Sequence, residues 1–246
     1  MASQILAQIP VPQVPIPEED KPLFASINAF VYDYMSKYDN SHDYQHILRV
    51  LSNTRRILIA EQHKFIEQQT QSYGYSPKYE HDDLFKPTSL FLAALLHDVG
   101  DHKYAKPDEN ADAMVLDLLL AHGAKPDLAC KVQQIVFNVS YTNEIRNPGM
   151  AKHILAKHPE LGIVQDADRL DAIGAVGIAR CFSFGAAKMP DQPMDRAVGH
   201  FEDKLYKLEG MMKTEEGKEM ARERHKVLER FAEQWKKETR LTFEME

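Results

Sequence analysis

The sequence predicts an all-α protein built as a single helical bundle. Apolar residues recur at three- and four-residue spacing in every convincing segment, and period-two alternation of the strand type is nowhere sustained. With 246 residues and 43% hydrophobic content, the chain holds enough apolar material for one large core. Residues 21–246 are expected to form that domain, with 1–20 as a proline-rich arm.

Composition narrows the possible functions. A formal net charge of −7, a pI near 5.9 and the lack of a long Lys/Arg block give no electrostatic support to general nucleic-acid or anionic-membrane binding. A small anionic substrate stays open. Cys130 and Cys181 lie far apart in apolar helical contexts, which reads as reduced core thiols and points to cytosol or nucleus. The first 20 residues lack the basic start and apolar core of a signal peptide, and no window approaches the ~20 apolar residues of a membrane span, so a soluble protein is expected.

Prolines at 10, 12, 15 and 17 forbid helix and make the arm an extended lead-in or surface-draped segment. Over 21–38, Leu23, Ile27, Phe30, Val31 and Met35 mark a first amphipathic helix. After the turn residues Asp39 and Asn40, Asp43 is placed to cap a second helix running to about residue 67, with His46 one turn inside it. His46 shares a face with Arg49, Val50 and Asn53. The polar, breaker-rich stretch 68–86 reads as an inserted loop, and a lid over a site fits it equally.

The central stretch starts at Pro87. Its apolar run closes in Ala93-Ala94-Leu95-Leu96-His97-Asp98-Val99-Gly100-Asp101. An imidazole beside a carboxylate at the end of a core helix needs a partner, because an unpaired buried polar group costs roughly 2–7 kcal/mol. A divalent cation supplies one, and a plain His–Asp hydrogen bond is the other solution. A helix starting at Pro107-Asp108-Glu109-Asn110 follows, with Met114, Leu118 and Leu119 buried and Gly123 as C-cap. The next runs over 126–139 with Leu128, Val132, Ile135, Val136 and Val139 inward. It closes in Ser140-Tyr141-Thr142-Asn143, expected as loop at the end of a helix, where side chains can line a pocket.

The stretch 162–180 reads as one helix rich in small residues, with Asp168, Asp171, Ala172, Ala175 and Ala179 on one face. Asp166, Asp168 and Asp171 are flanked by apolar residues, so at least one of them is expected buried and paired. Phe201, Leu205, Leu208 and Met212 mark a further helix. A last one spans 214–241 with Val227, Leu228, Phe231 and Trp235 inward.

Taken together, His46-Ile47-Leu48-Arg49, His97-Asp98 and Ala167-Asp168 resemble the H…HD…D signature of the HD-domain metal-dependent phosphohydrolases. The likeness is closest to the YedJ/YpgQ-like group and extends through Asp101…Lys103, residues 165–175 and Phe201-Glu202-Asp203-Lys204-Leu205. It covers about residue 24 to the C-terminus; the stretch 68–86 and the arm depart from it. The resemblance implies an HD-domain bundle with one divalent ion between core helices, held by His46, His97, Asp98 and Asp168. Mn²⁺ is favoured, with Mg²⁺, Co²⁺, Ni²⁺ or Fe²⁺ as alternatives. The activity implied is hydrolysis of nucleoside triphosphates, or of another small phosphoester or phosphoanhydride, by a metal-activated water oriented by Asp98. Asp101 then becomes the candidate general acid or base, and Arg49, Lys103, Arg169 and Lys204 candidate substrate contacts. A di-iron oxygenase, the other HD-domain chemistry, would need His122 and His153 as further ligands. A non-catalytic metal-bound interaction protein using the arm is the third reading.

Overall fold

The computed structural model describes residues 9–73, 85–100 and 113–243. The described residues are 75% helical, and no strand occurs among them. Residues 9–17 are draped over the first helix: the Pro10 carbonyl accepts from Asn28 Nδ2 at 3.3 Å, and Ile16 is buried. A 3₁₀ turn, Glu18–Asp20, then leads into α1, Lys21–Met35.

Helix α2, Tyr44–Tyr73, is longer than expected. The stretch expected as loop from residue 68 begins as helix, because glutamines and a threonine are polar without being breakers, and the first breaker is Gly74. The expected loop over 74–84 lies outside the described residues, as does the expected helix start at Pro107. Helix α3, Pro87–Leu96, is the centre of the bundle. Every residue from Ser89 to Leu96 is buried, and the helix packs against α1, α2 and two later helices. These are α5, Pro126–Phe137, and α8, Glu160–Asp171; α4, Met114–Ala121, lies outside α5. Proline opens α3 and α5, and also α7, Pro148–Lys157, where its missing N–H has no helical partner to lose.

Five expectations change. The residues 141–143, expected as loop, form the start of the short helix α6, Tyr141–Arg146. The single helix expected over 162–180 is two, α8 and α9, Gly174–Lys188, bent by 69°. Gly174 makes the corner at φ +73, a left-handed conformation that other residues rarely adopt. The helix expected through Met212 stops as α10, Asp195–Asp203, and continues as two 3₁₀ turns, Leu205–Lys207 and Glu209–Met211. Helix α11, Glu215–Glu238, buries Met220, Ala221 and Leu228, whereas Val227 is exposed one position off that stripe. Cys181 is buried, but Cys130 is exposed on the outer face of α5 and is not a core thiol. Among the described residues, no single helix is long and apolar enough to cross a membrane.

Candidate metal centre

Three helix ends meet at the site. Asp43 caps α2 by accepting from the His46 backbone N–H at 3.0 Å, which fixes His46 in the first turn, fully buried. His97 ends α3, and the chain leaves the helix through Asp98 and Val99 to Gly100 at φ +79. Asp168 comes from the last turn of α8, the helix most extensively packed on α2.

Hydrogen bonds assign the imidazole tautomers. His46 Nδ1–H donates to Asp171 Oδ2 at 2.7 Å, and His97 Nδ1–H donates to the Ala94 carbonyl at 2.9 Å. Each ring therefore presents its Nε2 lone pair to the other, at 3.0 Å. Asp98 Oδ2 lies 3.2 Å from His46 Nε2, yet it is buried with no hydrogen-bond partner among the described residues. Asp168 Oδ1 stands 3.6 Å from His46 Nε2 and 3.7 Å from His97 Nε2. Four acceptors thus converge, and one ligand atom each from His46, His97 and Asp168 lies within 4.8 Å of the others, an arrangement that could hold a metal ion. Two ligands at about 2.1 Å and right angles to one another stand about 3.0 Å apart, so the spacing of the two nitrogens fits a divalent ion.

The electrostatics agree. Burial and Arg180 disfavour charge on His46, but Asp171 and Asp98 outweigh them and raise its proton affinity. Burial likewise opposes charge on Asp98, yet His97, His46 and His42 hold its carboxyl well below the usual range. The cluster attracts positive charge, and metal and proton compete for it.

Asp171 stands behind the site. It accepts from Arg49 Nε at 2.7 Å and Nη2 at 3.1 Å, from Arg180 Nη1 at 3.1 Å, and from His46. Burial raises its pKa, but these donors more than reverse that and leave it far below the usual carboxylate value. Arg180 Nε also donates to the Ser41 carbonyl at 2.6 Å, tying α9 to the entrance of α2.

In front lies a cavity of about 360 Å³, lined by the cluster and by Tyr141, Arg180, Phe184, Arg196 and Lys204 among others. The structure thus brings His46, His97, Asp98 and Asp168 together and places Lys204 in the lining of the same cavity. Arg49 does not line the cavity; its guanidinium is committed to Asp171. Arg169, expected to contact substrate, is buried in a structural tie instead, paired with Glu144 and donating to the Met211 carbonyl at 2.9 Å. Asp101 and Lys103 lie outside the described residues. His122 pairs with Ser26 Oγ at 2.6 Å and His153 is exposed; neither lines the cavity, so these two do not extend the cluster to a second metal. Sequence reasoning missed Arg196 and Arg180, and it assigned His42 no role beyond its capping neighbour, although His42 lines the cavity. Arg196 had a signal: it stands four residues before His200 and eight before Lys204.

No family model matches the chain. YpgQ of Bacillus subtilis, itself described as uncharacterized, is 34% identical over 217 residues, covering 86% of this chain and 91% of YpgQ. The crystal structure of YpgQ in complex with ADP aligns with a TM-score of 0.62 at 28% identity, covering 89% of this chain and 96% of that one. An HD-superfamily hydrolase from Bacillus thuringiensis aligns at 0.57 and 30% identity over 90% of this chain and 98% of its own. A Lactobacillus plantarum protein aligns at 0.65 and 25% identity, covering 91% and 98%. With this much of the chain shared with YpgQ, and with the helical HD fold around its clustered histidines and aspartates, the protein belongs to the YpgQ-like family of HD-domain proteins.

Proposed function

We propose that this protein is a metal-dependent phosphohydrolase acting on nucleotides, with nucleoside triphosphates as the favoured substrates. The observation that carries the reading is the convergence of His46, His97, Asp98 and Asp168 in a cavity also lined by Arg180, Arg196 and Lys204. The hydrolase neighbour and the ADP complex of YpgQ support it.

His46, His97, Asp98 and Asp168 would hold the ion. A divalent cation there supplies a water of lowered pKa and polarises a phosphoryl oxygen. The chain does the rest. Nδ1 donation to Asp171 and Ala94 keeps each imidazole's Nε2 turned to the site. Asp98, with a buried oxygen that has no hydrogen-bond partner among the described residues, can orient the attacking water. Arg180 and Lys204, which line the cavity, counter phosphate charge. Asp101 and Lys103 keep the proposed roles of proton transfer and phosphate holding.

The test is release of phosphate and pyrophosphate from a panel of nucleotides by the purified protein, supplied in turn with Mn²⁺, Mg²⁺, Co²⁺, Ni²⁺ and, without oxygen, Fe²⁺. Release dependent on added metal is expected. Asp101→Asn should lower turnover by about 10²–10⁴ with the metal retained. No release from any nucleotide with any of these ions would contradict the reading.

A further inference from the structure

The last helix, α11, is tied to the end of α8 that carries Asp168. Its Arg224 donates from Nη1 to the Leu170 carbonyl and from Nη2 to Asn53 Oδ1 at 3.2 Å. Asn53, buried on α2, donates in turn from Nδ2 to the Ala167 carbonyl at 3.1 Å. Ala167 and Leu170 lie on either side of Asp168, so the backbone around this ligand is held from outside its own helix. The end of a helix leaves carbonyls without intrahelical donors, and a guanidinium placed there also meets the negative end of the helix dipole. Ile173 N–H reaches the Leu170 carbonyl at 3.4 Å, a long bond, which leaves Arg224 as its closer partner. The Arg224 stem closes over the corner at Gly174, where a Cβ would stand 3.1 Å from its Cβ and Cγ.

One face of α2 makes the other half of this clamp. His46, Arg49 and Asn53 share that face, and each is tied to α8: the first two to Asp171, the third to Ala167. Neither Asn53 nor Arg224 lines the cavity. Asp168 is the ligand with most need of such support, because its side chain is 30% exposed, against 14% for Asp98 and 1% for each histidine. Packing around that carboxylate restrains it least, so its place depends on the backbone that carries it. We propose that Asn53 and Arg224 are positioning residues for the metal centre, fixing the end of α8 against α2 and setting where Asp168 stands relative to His46 and His97 before an ion arrives. Helix α11, outside the cavity lining, is thereby part of the centre. This rests on the metal-dependent reading of the site and deepens it.

Charge and position predict opposite signs. Arg224→Gln removes a positive charge and Asn53→Asp adds a negative one, so through charge alone both would tighten cation binding, whereas through position both loosen it. The test is titration of the full-length, chelator-stripped protein with Mn²⁺, read by electron paramagnetic resonance of the free ion. Both variants, shown to be folded by thermal melting, should bind Mn²⁺ about tenfold more weakly or worse. Arg222→Gln, which removes the same charge from an exposed position on α11, should not weaken binding. Unchanged or tighter Mn²⁺ binding in both folded variants would overturn the proposal. Hydrogen exchange of the wild-type protein, read by mass spectrometry, needs no variant to fold. The Ala172 and Ile173 amides, which donate to the Arg169 and Leu170 carbonyls, should already be protected in the metal-free protein. Fast exchange that slows only on loading with Mn²⁺ would show that the ion orders this turn, and would overturn the proposal as well. Wild-type protein that binds no Mn²⁺ would sink the metal-dependent reading and the proposal with it. Binding that weakens in both variants, without hydrolysis of any nucleotide, would sink the phosphohydrolase reading alone; hydrolysis with Mn²⁺ affinity unaltered in both would sink the proposal alone.

Discussion

At the residue scale, the direction in which His46 points depends on a side chain that does not line the cavity. Asp171 is buried, receives two arginines, and takes the Nδ1 proton of His46, so it selects the tautomer that leaves Nε2 available. Asp171→Asn should therefore weaken Mn²⁺ binding by about 10–100-fold with every ligand still present. An unchanged Mn²⁺ dissociation constant in a folded Asp171→Asn protein would show that the imidazole is held by packing alone. The three aspartates of α8 also mark the limit of what the sequence could tell. Their apolar flanks required at least one buried pair, and Asp166 and Asp171 are both buried while Asp168 is more open. Spacing alone could not say which pair had which partner, because those partners come from α2, α9 and the start of α11.

At the element scale, the C-terminal half of α8 is fastened twice more. Asp166 accepts from the backbone N–H groups of Lys213 and Thr214 at 2.8 and 2.7 Å, while Thr214 caps α11 by accepting from Gly217 N–H at 2.9 Å. A Cβ on Gly217 would stand 2.4 Å from Asp166 Oδ2, so Gly217→Ala should force this cap open and cost about 1–3 kcal/mol in urea unfolding. Gly149→Ala, with nothing within 4 Å of the new Cβ, should be neutral or stabilising by up to about 1 kcal/mol. Equal effects would refute the close contact. Glu144 of α6 makes the second fastening, to Arg169 and, at 2.6 Å, to Lys213 Nζ. Burial opposes its charge, but these two cations outweigh it and lower its pKa. With the folded value below the unfolded one, the unfolded chain takes up the proton first as pH falls. The stability this contributes is complete above the ordinary glutamate range and is lost on acidification through the lowered value. Glu144→Gln should destabilise the protein at pH 7 and flatten the acid limb of its stability curve; two parallel curves of stability against pH would contradict that sign.

At the scale of the whole molecule, the helices were legible because a buried stripe repeats every three to four residues, and proline opens three of them. What was not legible were places where tertiary contacts decide. The corner at Gly174 sits within a run of small apolar residues whose helical pattern continues through it. Of α10 and the turns after it only the apolar marks Phe201, Leu205, Leu208 and Met212 were legible, whereas Arg196 takes its place from Phe184 and Gly185 of α9, which it packs against. His97-Asp98 stood out because it breaks an apolar run, whereas His46 and Asp168 joined it as ligands through the resemblance to the HD-domain signature, and the bundle draws the four to one place. The account depends above all on that convergence holding a single ion. Its most direct test is the metal content per chain after the protein is stripped with chelator and reloaded with Mn²⁺. The wild type should return about one ion, and His46→Ala or Asp168→Ala close to none. Full occupancy in a folded His46→Ala protein, or none in the wild type, would contradict it.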